Sequence, residues 1–335
     1  MADTILHDSA MRLFGDHVSP QIIAAAETGT WPDALWSSVT EAGYLDVLGD
    51  GAEGMSEAAT ILRAAGYHAA PIPLPETMLA RWLCAAAGLE APDGPLTIAP
   101  VEPTDQLALF GNSISGSAAY VPWAESAEAI ALVGSGSVGL GHAALVEPGK
   151  NLAGEPRGRL TDAAVSASAP MPNSIGAEQV LSLGALMRAA QMAGAMEAAL
   201  DLTTQYANDR VQFGRPIGKF QGIQHQIALL AEEVAASLVA VESAAARVAA
   251  SHPMADTAVA AAKIRTGEAA GKVADYAHQV HGAIGFTKEH SLHHLTRRLW
   301  SWRDEFGDEA YWAARLGRRV AAAGPAGLWP LLTAS

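Results

Sequence analysis

The residues with most chemistry to offer lie between Arg210 and Gln226, RVQFGRPIGKFQGIQHQ. This stretch interrupts a long helical pattern with two Arg, two Phe, three Gly, a Pro and then three Gln. A chain that only had to turn would not need so much polar chemistry. Arg210 stands near the end of a helix that Gly214 and Pro216 stop. It can make a charge-assisted contact to a diphosphate, or it can simply compensate the helix dipole. On the first reading Phe213 packs on the adenosine side of the ligand, and Gln221, opening the next helix, hydrogen-bonds the same molecule. A second segment, Gln279-Val-His-Gly-Ala-Ile-Gly285, ends another helix in a glycine turn. Gly282, Ala283 and Gly285 there would let backbone N–H groups approach a phosphate closely. Taken alone, the turn is an ordinary C-cap and His281 a packed histidine rather than a base. The two segments nevertheless follow one another about 70 residues apart, each after a long Ala-rich helix.

The elements that must position these residues fall into three stretches. From Pro20 to about Leu89 the pattern is helical, with Trp31-Pro32-Asp33 as a helix start. From Pro95 to about Pro170 short runs alternate (LTIAPV, LALFG, ISGSAAYVPWA, AIALVG, GHAALVE) and read as an antiparallel β unit. Ser182–Ala207, Gly218–Ala250, Asp256–Val280 and Asp304–Ala322 are long helical patterns that pack most simply as an antiparallel bundle. The expected fold is mostly α with a small β domain: an N-terminal helical domain over 1–92, a shortened middle β domain over 93–172, and a C-terminal helical bundle over 173–335 that carries both polar segments.

The chain has 335 residues, half of them hydrophobic, and a net charge of −14. That charge argues against nucleic acid as a partner. Residues 1–187 carry 6 basic and 21 acidic side chains, residues 188–335 carry 15 and 14. A polyanionic ligand should therefore dock on the C-terminal half. The single cysteine, Cys84, excludes an internal disulfide and fits a reducing compartment. No stretch approaches the length of a membrane span, and Met1–Val18 does not read as a secretory signal. The expectation is a cytoplasmic protein.

RxxFG at Arg210–Gly214, the following Gln221 and QxxGxxG at Gln279–Gly285 together resemble the acyl-CoA dehydrogenases, and the likeness extends over the whole chain. Residues 114–132, ISGSAAYVPWAESAEAIAL, resemble the strand pair of that family's β domain. The resemblance implies an N-terminal helical domain, a β domain and a C-terminal four-helix bundle, with FAD bound between subunits. It implies that Arg210, Phe213, Gln221, Gln279, Gly282, Ala283 and Gly285 reach the FAD of a neighbouring subunit, whose own β domain holds the flavin ring. It further implies an acyl-CoA substrate and an electron-transfer flavoprotein as electron acceptor.

Two departures narrow this reading. The family's TEP-x-x-GSD loop has no counterpart, and the β region before Ser113 is short. The family's catalytic carboxylate, which takes the acyl α proton, is also missing: its two known positions correspond here to Phe306 and Gly184. In WRDEFGDEAYW, either Glu305 reaches the substrate through an irregular backbone, or Asp304, Glu305, Asp308 and Glu309 form a solvated first helical turn. Trp300, Trp302, Tyr311 and Trp312 read as packing aromatics. Arg297, Arg298 and Arg303 could meet a phosphate of CoA, but by default form a solvated basic face. Arg315, Arg318 and Arg319 read as a salt-bridged surface stripe. The resemblance includes α2β2 enzymes of lipid and steroid catabolism. Their short subunit lacks a base and completes the FAD site of a Glu-bearing partner, and this chain is expected to be such a subunit. The alternatives are a homo-oligomeric dehydrogenase using Glu305 and a flavin-free structural homologue.

Overall fold

The computed structural model describes residues 2–50, 54–110, 113–134, 136–142, 146–161, 165–171 and 175–333. Five helices open the chain: α1 (Ala2–His17), α2 (Pro20–Glu27), α3 (Asp33–Glu41), α4 (Gly54–Tyr67) and α5 (Leu74–Ala87). Their limits follow local chemistry. Ser19 caps α2 through its hydroxyl, with Pro20 in the first turn. α3 starts at Asp33, directly after Pro32. Gly88, at φ +69°, closes α5 in the left-handed region that glycine enters freely.

Eight strands follow in two four-stranded sheets: β1 (Leu96–Ala99), β2 (Gln106–Phe110), β3 (Ser113–Pro122), β4 (Ala129–Val133), β5 (Ser137–His142), β6 (Val146–Lys150), β7 (Pro156–Thr161) and β8 (Val165–Pro170). The sheet orders are β1-β4-β5-β8 and β2-β3-β7-β6. The pairing is antiparallel except that β1 runs parallel to β4, Leu96 opposite Ala129. A purely antiparallel unit was expected from the short alternating runs. The exception arises because the chain leaves β1 for the other sheet and returns before β4. Thr77 of α5 ties the helices to this unit, donating to the carbonyl of Leu96 at 2.8 Å and accepting from its amide at 3.1 Å. The run GHAALVE is divided between β5 and β6, with 143–145 outside the described residues. The boundary expected at 172/173 also lies outside them.

The C-terminal half holds α6 (Ala177–Asp209), α7 (Gln221–Ala249), α8 (Ala255–His281), α9 (Leu292–Trp302) and α10 (Glu309–Thr333), with a small hairpin of β9 (Val211–Gln212) and β10 (Arg215–Pro216) after α6. On α7 the buried residues Leu230, Val234, Ser237, Val241 and Ala244 recur at helical spacing, so one stripe faces the core. The middle of α6, from Ser182 to Met196, is buried on every side, and the helix packs against α4, α7, α8 and α9. Its Ala and Gly positions allow this. A Cβ on Gly194 would collide with the carbonyl oxygen of Arg63, and one on Gly66 of α4 with that of Gln191. Both obstacles are backbone and cannot rotate away. Gly194→Ala should therefore force α4 and α6 apart and destabilise the protein by about 2 kcal/mol or more, read as a lower urea midpoint; an unchanged midpoint would show that the helices are not this close. α9 lies where no helix was expected, since its His and Arg residues mask the apolar stripe in the sequence. No described helix is long and apolar enough to cross a membrane.

Candidate functional site

The two polar segments meet. α6 ends at Asp209, and Arg210 leaves it in extended conformation, its amide bonded to the carbonyl of Tyr206 at 2.9 Å. β9 and β10 pair Gln212 with Arg215, so Phe213 and Gly214 form a two-residue hairpin turn. Both have positive φ, +52° and +78°, as a type I′ turn requires. Glycine accepts this freely, whereas Phe213 bears a strain of about 1–3 kcal/mol. Its ring is nonetheless 92% exposed. Strain in the backbone of an exposed aromatic points to a role outside this chain's own packing. Ile217 N–H donates to the Arg210 carbonyl at 2.8 Å and closes the hairpin base. The guanidinium of Arg215 lies 4.2 Å from the centre of the Phe220 ring.

Ala207, Ile217 and Val280, with Tyr206, Phe220, Ile223 and Ile227, form a satellite core. This core fastens the end of α8 to the hairpin. Beyond His281 the chain makes a tight 3₁₀ turn over Gly282–Phe286, with Gly282 at φ +62°, ψ −143°. Only glycine occupies that region readily. The result is a cleft of about 560 Å³ lined by Arg210, Gln212, Phe213, Phe220, Gln279, His281, Gly282, Ala283 and their neighbours. Arg210 is exposed and its guanidinium pairs with no described residue. Of the remaining expected site residues, Gln221 is exposed at the first position of α7, beside Phe220. Gly285 is buried beneath the turn against His281 and His278. The hairpin itself was not anticipated, because Phe-Gly is a weak signal for a type I′ turn.

The region that should hold a catalytic carboxylate is closed. The ring of Phe306 lies directly on Gly184, where any added Cβ would overlap it, so the family's two base positions fill each other. Glu305 is 4% exposed and sits between two arginines. Arg157 Nε donates to its Oε1 at 2.7 Å, and Arg188 Nη2 lies 2.5 Å from its Oε2. Arg188 also bonds Glu76, and Arg157 bonds Glu155 at 3.1 Å. Arg298 lies 3.1 Å from Glu155, which also accepts from the Trp302 indole at 3.0 Å. Three carboxylates and three guanidiniums thus balance within a dry interior. Burial opposes the charge on Arg188, but Glu305 and Glu76 raise its pKa further. Burial opposes that on Glu155, yet Arg298 and Arg157 hold its pKa below the usual carboxylate range.

Of the expected helix-start acids, Asp304 is exposed and Asp308 and Glu309 do open α10, but for Glu305 both expectations are corrected. Glu305 is neither a solvated helix-start acid nor a free base, because its two oxygens are engaged by Arg157 and Arg188. α10 begins only at Glu309, with Asp308 accepting from Tyr311 N–H at 2.8 Å as its cap. Lys263, fully buried, donates to the carbonyls of Arg303 and Gly307 and fixes the loop between them. Nor do Arg297, Arg298 and Arg303 form a basic face: Arg297 and Arg298 bond Glu27 of α2, and Arg303 bonds Glu309. Trp302 and Trp312 are core residues, and Arg315 and Arg319 pair with Asp256, as the sequence suggested.

Glu27 gives the network a measurable signature. Burial opposes its ionisation, but hydrogen bonds from His294 and Arg297 and the charge of Arg298 lower its pKa from 4.5 to about 2. A carboxylate depressed in the folded state stabilises above its unfolded pKa and loses that contribution as pH falls. Stability should fall by about 2 kcal/mol between pH 4.5 and 2 on account of this residue. Glu27→Gln should flatten that part of a urea-midpoint-against-pH curve; an unaltered slope would exclude Glu27 as its source.

Comparison with known proteins agrees with this geometry. The family model described as Acyl-CoA dehydrogenase, C-terminal domain matches residues 176–320. Acyl-CoA dehydrogenase IpdE2 of Mycobacterium tuberculosis (strain ATCC 25618 / H37Rv) is 28% identical over 302 residues, 88% of this chain and 89% of that protein. A solved structure titled Tcur3481-Tcur3483 steroid ACAD G363A variant superposes with a TM-score of 0.86 at 25% identity, covering 96% of this chain and 98% of that one. The ChsE4-ChsE5 complex from Mycobacterium tuberculosis shares the fold, with a TM-score of 0.82 at 24% identity over 96% of this chain and 97% of that one. With helical ends, a middle β unit and both polar segments brought to one cleft, the chain has the acyl-CoA dehydrogenase fold, and its residues 176–320 match that family's C-terminal domain.

Proposed function

We propose that this chain is the non-catalytic subunit of a heteromeric FAD-dependent acyl-CoA dehydrogenase and completes the FAD site of a Glu-bearing partner. The contrast between its two sites carries the reading: the cleft at Arg210 is built and unpartnered, whereas the base region is filled by Phe306 on Gly184 and locked around Glu305. The cleft residues fit FAD. Arg210 would hold the diphosphate, Gly282 would let the backbone turn approach it closely, and Gln279, with Gln221 beside the cleft, would hydrogen-bond along it. Phe213, exposed on a strained turn, would pack on the adenosine side across the interface. When bound, FAD supplies the acceptor for the hydride leaving the acyl β carbon. The α proton would go to the partner's carboxylate, since no acid of this chain stands free at Phe306 or Gly184.

The likeness to a steroid ACAD favours a steroid-type acyl-CoA as substrate, and an electron-transfer flavoprotein completes the reading as electron acceptor. Expressed alone, the chain should be colourless and inactive. Co-expressed with a Glu-bearing dehydrogenase encoded beside it, it should co-purify as a yellow, active complex in which Glu305→Gln lowers stability but not the activity per bound flavin. A yellow, active lone chain that Glu305→Gln inactivates would establish the self-sufficient enzyme instead. An assembled complex without flavin would establish a structural homologue.

A further inference from the structure

The cleft at Arg210 offers a hydrogen-bond donor at the Arg210 guanidinium, whereas the Gly282 N–H is already bonded to the His278 carbonyl. One residue of its lining has the opposite polarity. His281 is 4% exposed, and its Nδ1 lies 2.8 Å from the carbonyl oxygen of Ala277. A carbonyl only accepts, so the proton sits on Nδ1 and Nε2 keeps a lone pair. Burial keeps the ring neutral, its pKa down at about 4. The ring cannot turn freely: it stacks on Tyr206 with centroids 4.5 Å apart, and the His290 ring meets it at 4.5 Å and 64°. Nε2 nevertheless has no hydrogen-bond partner among the described residues. A buried acceptor left unpaired in a native fold calls for a donor from elsewhere. The diphosphate cannot serve, because its oxygens only accept.

We infer that His281 is a specificity residue of the half-site, its Nε2 accepting a hydrogen bond from a donor of the bound dinucleotide, the adenine amine or a ribose hydroxyl. This rests on the reading of the cleft as an FAD half-site, and the two can fail separately. The complex with the Glu-bearing partner, stripped of flavin, would be titrated with FAD. His281→Phe keeps a flat ring on Tyr206 and removes the acceptor. It should raise the dissociation constant about tenfold, and His281→Gln should recover part of the loss. The wild-type complex would also be titrated with FAD analogues lacking the adenine amine or one ribose hydroxyl. The analogue missing the relevant donor should bind wild type about tenfold more weakly than FAD does, and should match FAD in His281→Phe. Unchanged affinity in His281→Phe, with Arg210→Ala still weakening FAD, overturns the inference and leaves the half-site intact. If neither variant weakens FAD, both fall. Should His281→Phe fail to fold, equal affinity of the wild-type complex for FAD and for every analogue overturns the inference by itself.

Discussion

Replacing Arg188 with methionine should destabilise the protein by about 3–5 kcal/mol and lower its thermal midpoint by about 10 °C or more. Methionine keeps the apolar stem of the side chain to about the Nε position and removes the guanidinium. What is lost is the cation between Glu76 and Glu305, both at most 4% exposed. Glu305 retains Arg157, but Glu76 loses its charged partner altogether. A buried carboxylate without one must either stay ionised at high cost or take up a proton. The damage should therefore be repaired by removing the orphan. Arg188→Met combined with Glu76→Leu leaves Glu155 and Glu305 facing Arg157 and Arg298, a balanced set. The double variant should recover more than half of the lost stability, a coupling that a urea double-mutant cycle measures directly. Strict additivity of the two substitutions would sink this account of the cluster. Breaking the pair should be costly even though a buried ion pair is not in itself a strong source of stability. The cluster's evident effect is geometric. It clasps α5, α6, β7 and the loop before α10, and it places an arginine against each oxygen of Glu305.

Replacing Arg210 with alanine should leave the fold intact and strip flavin from the assembled complex. The side chain is exposed, and the hydrogen bonds that shape the hairpin come from the Arg210 backbone, so the variant keeps them. A charge-assisted hydrogen bond is worth about 1.5–3 kcal/mol, which corresponds to roughly 10–100-fold in FAD affinity. Arg210→Lys should recover only part, since an ammonium cannot grip a diphosphate in the two-pronged way of a guanidinium. The readout is the ratio of flavin to protein after gel filtration, followed across ionic strength. A normal ratio in Arg210→Ala would remove the diphosphate role and with it the main support for the proposed half-site.

Much of this was legible in the chain itself. Helical periodicity located α6, α7 and α8 to within a few residues, because Ala, Leu, Glu and Gln have strong local preferences and each helix is long. The start of α7 at Gln221 and the glycine turn after His281 also follow from local chemistry. α9 was missed because two His and two Arg over Leu292–Trp302 look solvated in a linear reading. Their burial depends on partners far away in sequence: Glu27 for His294 and Arg297, Glu155 for Arg298.

The sequence by itself determined the architecture and singled out the residues proposed to face a ligand, since both rest on local propensity and on short motifs carried by contiguous residues. It also led to the expectation that Phe306 and Gly184 stand where the family resemblance calls for a carboxylate. Only the tertiary structure decided what became of that site. Glu76 and Arg188 are 112 residues apart and Arg157 and Glu305 are 148 apart, yet each pair is in direct contact. No local pattern encodes such pairings. Whether an acid is solvated, catalytic or locked is set by dielectric and by the charges around it, and the folded interior alone supplies both.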